Sequence, residues 1–497
     1  MKITIDNKKI TGMVSAAEYM PLMHRYLISQ ALTPDHDPIT IANASTGIRA
    51  TYTCLSELGL LDTIQTNYDG INKLACGEST LTYKLIIPIA AALGCKCEIF
   101  IAQHLMDQTM AGLFKILKIH GIHHEVTDSN KLKIWGRLTA GTYILPKGAD
   151  ADLISGLLFA LPLLKEKSSL MIEGQLEDKE GVMMTLKVLS EAGINISYQI
   201  NEQQGAQPAG KGGFIGASFK IPGSQTYNMP SSPWIEGDWT SAAYLLVAGA
   251  VGGGPVVLSG LNMLSSQKER VIIDILKAAG AHIEYGMNPP DGNEQNFFTN
   301  LRGKNVNGIL YNVKPSEAEY IKVTGRHTNN ASQVALFREK LNPLDIDARD
   351  IPKLIPALAL LASAADGTSC IRNAFAADEE ECQNVTCDVL ANAEDATALH
   401  EESHYSSAAR TVIETLENMG IMVWESEGNM YIEGDPGDEP LSGGYVDGGR
   451  NSQVIMMECA ASCICRRAVS IYGAEYIEKA DPSFFERIQI LQVEDEW

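Results

Sequence analysis

The stretch Leu186-Lys-Val-Leu-Ser-Glu-Ala-Gly-Ile-Asn-Ile-Ser-Tyr198 changes period in mid-course. Leu186, Leu189 and Ala192 recur at helical spacing, Gly193 suits the left-handed turn that ends a helix, and Ile194, Ile196 and Tyr198 alternate as in a strand. The same grammar returns in Leu113–Val126 around Gly121, in Ile272–Tyr285 around Gly280 and in Val412–Glu425 around Gly420. Tyr52–Leu60 is a shorter version and Phe484–Leu491 a worn one. Between these amphipathic segments lie longer ones, apolar and rich in small residues: His24–Asn43, Leu81–Ala102, Gly156–Gly174, Ala242–Gly260, Leu354–Ala374 and Gln453–Ala474. Leu354–Ala365 carries no charge and is apolar on every face, as a helix without a solvent side must be.

Self-similarity on this scale decides the architecture before any other signal. Six buried helices paired with half-exposed ones, each running into a β-rich stretch, predict an α/β protein built from repeats, with helices packed inside and against small sheets. An ordinary doubly wound sheet is the alternative, but it does not demand two alternating helix classes. Three stretches break the repeat and read as insertions: Asn201–Ser232, Met287–Asn330 and the acidic Asp378–Ser406. Trp234-Ile-Glu-Gly-Asp-Trp239 restarts the repeat, with Asp238 as a helix cap, so the boundary between two halves is expected near residue 234.

Composition narrows the function classes. The 497 residues hold 39 Lys and Arg against 61 Asp and Glu, a net charge of −22, which argues against a nucleic-acid surface. No apolar run reaches the roughly 18–20 residues of a membrane span, and Met1-Lys-Ile-Thr-Ile-Asp6 reads as a strand, so a cytoplasmic protein is expected. Cys95/Cys97, Cys463/Cys465 and His123/His124 lack metal-ligand spacing, and no metal site is expected. Short polar motifs are read at the starts of the six buried helices: Thr46–Arg49, Cys76–Thr80, Gly148–Asp152, Gly237–Ser241, Asp347–Asp350 and Gly448–Ser452. Such residues cap any helix, but six similar starts in one repeat fold would make an anion-attracting region.

Collinear motifs extend along most of the chain. They include Pro21-Leu-Met-His-Arg25, Cys76-Gly-Glu-Ser-Thr-Leu-Thr-Tyr-Lys84, Leu153-Ile-Ser-Gly-Leu-Leu158 and Glu236-Gly-Asp-Trp-Thr-Ser-Ala-Ala243. They continue with Leu264-Ser-Ser-Gln267, Asp350-Ile-Pro352, Gly449-Arg450 and Glu478-Lys-Ala-Asp-Pro-Ser-Phe-Phe485. This series resembles the enolpyruvyl transferase family. The resemblance implies two domains, each of three βαβαββ units with buried parallel helices: residues 20–234, and residues 1–19 with 235–497. It implies transfer of the enolpyruvyl group of phosphoenolpyruvate to the 5-hydroxyl of shikimate 3-phosphate, a step of aromatic amino acid biosynthesis. It implies no cofactor, two small anionic substrates as partners, and no nucleic acid or membrane; no oligomeric state follows from the sequence, and a monomer is favoured.

The site carries over residue by residue. Arg25 stands at a substrate-binding arginine, Lys84 replaces an arginine and keeps its charge, and Arg450 and Lys479 match basic residues that grip phosphoenolpyruvate. Glu381 matches a carboxylate used in proton transfer. Other positions depart from the family. Lys353 replaces the aspartate base, Gln108 a phosphoenolpyruvate-binding arginine, and Thr80 a glycine. Asp150 and Ala151 replace a serine pair that holds the acceptor's phosphate, and Asp152 the glutamine beside it. Met20, Pro21, Gly47, Gly181 and Glu380 are further replacements. Each lost charge-assisted contact weakens binding by about 1.5–3 kcal/mol. Three readings of function therefore stay open: a divergent transferase of this family with the family's reaction, a transferase of the same fold acting on a different, less anionic acceptor, or an inactive or re-purposed relative that binds another small molecule or a protein partner.

Overall fold

A computed structural model describes residues 1–41, 44–61, 70–108, 110–176, 178–201, 215–252, 254–286, 320–325, 340–376, 408–437 and 439–492. The chain divides into two units, Met1–Glu18 with Glu236–Trp497, and Tyr19–Ile235, each with its own apolar core. Most of the three expected insertions, including Glu381, lies outside the described residues.

Within Tyr19–Ile235 one pattern occurs twice. Strand β3 (Asn72–Gly77) leads to helix α3 (Thr80–Leu93) and β4 (Cys97–Ile101). Helices α4 (Gln103–Gln108) and α5 (Met110–Ile119) then lead to the hairpin β5 (Ile122–Asp128) and β6 (Lys131–Gly136). The strands order β3-β4-β6-β5, with β3 parallel to β4 and the rest antiparallel. β7 (Thr142–Leu145), α6 (Ala151–Ala160), β8 (Ser168–Glu173), α7 (Lys179–Glu191), β9 (Ser197–Ile200) and β10 (Ile215–Ile221) repeat it as β7-β8-β10-β9. The left-handed glycines sit where the change of period demands them, with φ of 93° at Gly121 and 76° at Gly193. A further helix pair, α1 (Met20–Ala31) and α2 (Thr46–Glu57), completes this unit, with no strand of its own among the described residues.

The other unit repeats the pattern twice more and borrows strands from the start of the chain. β2 (Gly12–Ser15) pairs in parallel with β11 (Val256–Ser259). With α8 (Trp239–Gly252), α9 (Ile272–Ala278), β12 (His282–Gly286) and β13 (Tyr320–Thr324) it forms the order β2-β11-β13-β12. The chain thus leaves this unit after β2 and re-enters just before α8, which makes the unit discontinuous. β14 (Asp345–Asp347), α10 (Ile355–Ser363), β15 (Gly367–Arg372), α11 (Ala408–Asn418), β16 (Met422–Ser426) and β17 (Asn429–Gly434) give β14-β15-β17-β16. The last module holds β18 (Gly444–Asp447), α12 (Ser452–Ala461), β19 (Val469–Tyr472) and α13 (Phe484–Leu491). It is closed by β1 (Lys2–Ile5), antiparallel to β19.

The charge-free helices are the buried ones: every residue of α8 and of α10 is buried. Two helix starts differ from expectation. Thr46–Arg49 opens the amphipathic α2, capped by Ser45, whose Oγ accepts from the Ile48 amide at 3.3 Å. The buried α1 begins instead at Met20, without a side-chain cap. α10 likewise begins uncapped at Ile355, after a 3-10 turn at Pro352–Leu354 that follows Asp347–Asp350. Both starts carry proline in the first turn, where its missing N–H costs nothing and its fixed φ suits the helix.

In α3, Pro88 has no N–H for the Lys84 carbonyl one turn earlier. Helix α6 approaches at that carbonyl through Gly156, where an added Cβ would stand 2.1 Å from the Lys84 oxygen. Gly156 therefore sets the α3–α6 spacing, and with it the distance between side chains at the two helix starts. Gly156→Ala is expected to lower stability by about 1–3 kcal/mol through forced separation. Urea unfolding checks this, and a variant as stable as the parent would show that the helices accommodate the methyl.

Candidate functional site

Arg25 lies on α1 and is 1% exposed. Its Nε donates to Thr185 Oγ1 at 2.7 Å and its Nη1 to the Pro21 carbonyl at 2.8 Å. Its Nη2 donates to Asp152 Oδ1 at 3.1 Å and to Ser155 Oγ at 3.3 Å. The side chain expected to meet a ligand is thus occupied by α1, α6 and α7. Lys84, from α3, donates from Nζ to Asp150 Oδ2 at 2.7 Å. The other oxygen of Asp150 accepts from the amides of Asp152 and Leu153, both at 3.0 Å, and caps α6. The first free amides of α6 and two neighbouring cations therefore converge on the chain's own carboxylates. Burial works against the charge of Lys84, but Asp150 outweighs it and raises the ammonium pKa. Burial pushes the Asp152 carboxyl up, against the pull of Arg25.

A second buried polar chain lies in the same unit. Thr51 Oγ1 stands 2.8 Å from His24 Nδ1 and 2.8 Å from Thr82 Oγ1, which donates to Ser79 Oγ at 2.7 Å. Burial first, and Arg25 second, lower the His24 pKa to about 3, so the ring is neutral at physiological pH. Gln108 belongs to α4, and its side chain lies outside the description.

In the other unit the three expected site cations stand outward. Arg450, Lys479 and Lys353 are exposed. Arg450 occupies a left-handed turn, φ 61°, before α12. Its guanidinium and the Lys479 ammonium both approach the Tyr476 ring, at 5.9 and 5.2 Å from the centroid. Lys353 is held through its backbone, since the Tyr244 hydroxyl of α8 donates to its carbonyl at 2.9 Å.

The start of α8 is braced from both sides. Asp238 caps it, accepting from the Thr240 and Ser241 amides, each at 3.1 Å. Glu236 is 7% exposed and accepts from Asn262 Nδ2, Ser265 Oγ and Gln267 Nε2 at 2.5, 2.6 and 3.0 Å; Gln267 also accepts from the Trp239 amide. Asp481 and Arg487, which the sequence reading did not single out, join here: Arg487 Nη1 donates to Asp481 Oδ1 at 2.5 Å. Asp481 lay within a recognised motif, but nothing in its spacing signalled a partner on another helix.

The model of the EPSP synthase (3-phosphoshikimate 1-carboxyvinyltransferase) family matches residues 7–390. The chain belongs to this family. A relative from Clostridium kluyveri, named 3-phosphoshikimate 1-carboxyvinyltransferase, is 28% identical, with 100% of this chain and 98% of the relative covered. One of the same name from Brachyspira hyodysenteriae is 27% identical, with 98% of each covered. Among solved structures, an EPSP synthase from Acinetobacter baumannii superposes with a TM-score of 0.66 at 16% identity, covering 99% of this chain and 98% of that one. The enolpyruvyl transferase NikO from Streptomyces tendae gives 0.56 at 13%, covering 99% and 97%. At such identities these structures speak for the two-domain enolpyruvyl-transferase fold alone. Among the described residues no group of three or more His, Cys, Asp or Glu is arranged to hold a metal, and no helix is long and apolar enough to cross a membrane.

The Arg25–Asp152 contact yields a stability test. Asp152→Ala strands a buried guanidinium and is expected to cost about 3 kcal/mol. Asp152→Asn, which retains an acceptor, should cost less. Chemical denaturation measures both, and equal, negligible losses would mean that solvent already serves Arg25.

Proposed function

We propose that this chain transfers the enolpyruvyl group of phosphoenolpyruvate to the 5-hydroxyl of shikimate 3-phosphate and releases phosphate. The observation that carries the reading is the family match over residues 7–390, with relatives of that named activity aligned along nearly their whole length. Exposed Arg450 and Lys479 support it chemically, because a carboxylate and a phosphate need charge-assisted donors that a ligand from solution can reach. In this reading Arg450 and Lys479 hold phosphoenolpyruvate, and Lys353 adds positive charge where the family has its base. Arg25, Lys84 and Asp152 form the acceptor side, Gln108 stands on the phosphoenolpyruvate side, and Glu381 carries a proton.

The acceptor side works under a constraint. Lys84 reaches an acceptor phosphate only by exchanging Asp150 for it, and Arg25 only by exchanging Asp152. Turnover with shikimate 3-phosphate is therefore expected to need high acceptor concentrations.

Phosphate release from phosphoenolpyruvate in the presence of shikimate 3-phosphate tests the activity. Arg450→Ala and Lys479→Ala are each expected to weaken phosphoenolpyruvate binding about 10- to 150-fold, the equivalent of one charge-assisted contact, with the melting temperature unchanged. No phosphate release, together with no thermal shift from either substrate, would contradict the proposal and leave a re-purposed binding protein.

A further inference from the structure

We infer that His24 and Ser79, which flank the missing side chain of Gly47, bind one hydroxyl group of the acceptor and so set acceptor specificity, an assignment that rests on the reaction proposed above. The starts of α2 and α3 meet α1 at this point. A Cβ added to Gly47 would stand 3.2 Å from Ser79 Oγ and 3.4 Å from His24 Nε2. Gly47 and Ser79 are half-buried and their neighbours Thr46 and Thr80 exposed, so the notch opens to solvent, whereas His24 is 4% exposed. Gly47 lies in α2 without a positive φ, and glycine there costs stability relative to alanine. Its backbone does not call for glycine; the space beside the two polar atoms does.

Proton counting fixes what each group offers. Thr82 Oγ1 has one proton, directed at Ser79 Oγ at 2.7 Å with the Gly47 carbonyl a longer branch at 3.2 Å. None is left for Thr51, so Thr51 is the donor in its 2.8 Å contact with Thr82. Thr51 then has no proton for His24, and the ring donates to it from Nδ1 across 2.8 Å. The ring is neutral, because burial and Arg25 both oppose its protonation. Its Nε2 therefore carries a bare lone pair, with no hydrogen-bond partner among the described residues. Ser79 Oγ also accepts from the Thr82 amide at 3.2 Å, while its own proton meets no acceptor among them.

A hydroxyl matches this pair, because it donates one proton and accepts another. Its proton goes to Nε2, and its oxygen takes the Ser79 proton. A phosphate or carboxylate oxygen has no proton for Nε2, and an ammonium has no lone pair for Ser79. A ring this weakly basic holds the hydroxyl without deprotonating it. Bracing of α1 against α2 and α3 accounts for Nδ1, Thr51, Thr82 and the lone pairs of Ser79. It leaves Nε2 and the Ser79 proton, both beside the same half-open space, unexplained. Lys84 lies further along α3 than Ser79 by about 7.5 Å, at 1.5 Å per residue, so the notch and the acceptor-side cation share the first half of one helix.

Titration of shikimate 3-phosphate into the parent and into Gly47→Ala tests the site without turnover. Alanine favours the helix, so the variant should keep its melting temperature. Calorimetry should show at least about tenfold weaker acceptor binding, with phosphoenolpyruvate affinity within about twofold. Nitrogen-15 NMR of the parent should find His24 as the Nδ1–H tautomer, and its Nε2 signal should move as the acceptor binds, which a bracing role does not require. Of the acceptor analogues that each lack one ring hydroxyl, one should bind parent and variant alike. Equal acceptor affinity in the two proteins, with Nε2 unmoved at saturation, would leave a notch that holds water only and overturn the inference, while phosphate release stands by itself. Acceptor binding that moves Nε2 in a parent that releases no phosphate sustains the site and removes the reaction. No acceptor binding at the concentrations used to assay phosphate release overturns the inference whatever that assay shows.

Discussion

A guanidinium or ammonium that already faces a carboxylate has little left to offer a ligand, and this rule governs Tyr19–Ile235. Among the described residues, Arg25 and Lys84 are the Arg and Lys side chains that this unit buries, and Asp152 and Asp150 meet them. The start of α6 is spent as well, because Asp150 takes its first amides. Two cations, two anions and a capped helix add up to a neutral cluster. It binds α1, α3, α6 and α7 together and leaves little field for an external anion. In the other unit the expected site cations lie at the surface. Arg450 and Lys479 gather at Tyr476, and Lys353 stands exposed with its carbonyl tied to α8.

The fold follows from features that can be read locally. Gly193, Gly280 and Gly420 each divide a helical period from an alternating one, and each adopts a positive φ in the structure. The charge-free run Leu354–Ala365 contains a fully buried helix because no face of it suits water. Less legible were the strands contributed from afar. β1 and β2 carry no mark of their partners in their own residues; the family resemblance joined residues 1–19 to the later chain, and the pairings Ile3–Ile471 and Val14–Leu258 show which two modules they complete. Helix starts with a proline in the first turn also escaped a reading based on polar caps.

The candidate site was legible as a set of residue types and illegible as a set of partnerships. Substitution to Asp150 and Asp152 signals repulsion of an anion, but it does not show which cation each aspartate holds. That contact spans 66 residues for Lys84–Asp150 and 127 for Arg25–Asp152. It depends on the close approach of α6 at Gly156, where Pro88 has freed the Lys84 carbonyl. Local sequence determines which side chains are charged; helix spacing determines which charges remain available.

Titration of inorganic phosphate into the parent chain and into the Asp150→Ser/Asp152→Gln variant tests this account most directly, followed by calorimetry at low ionic strength. Release of Lys84 and Arg25 should give the variant at least about tenfold tighter phosphate binding, a gain of one charge-assisted contact that Lys84→Ala abolishes. Equal phosphate affinity in the two proteins, with the parent's binding lost on Lys84→Ala, would show that the aspartates do not occupy the cations and would contradict it.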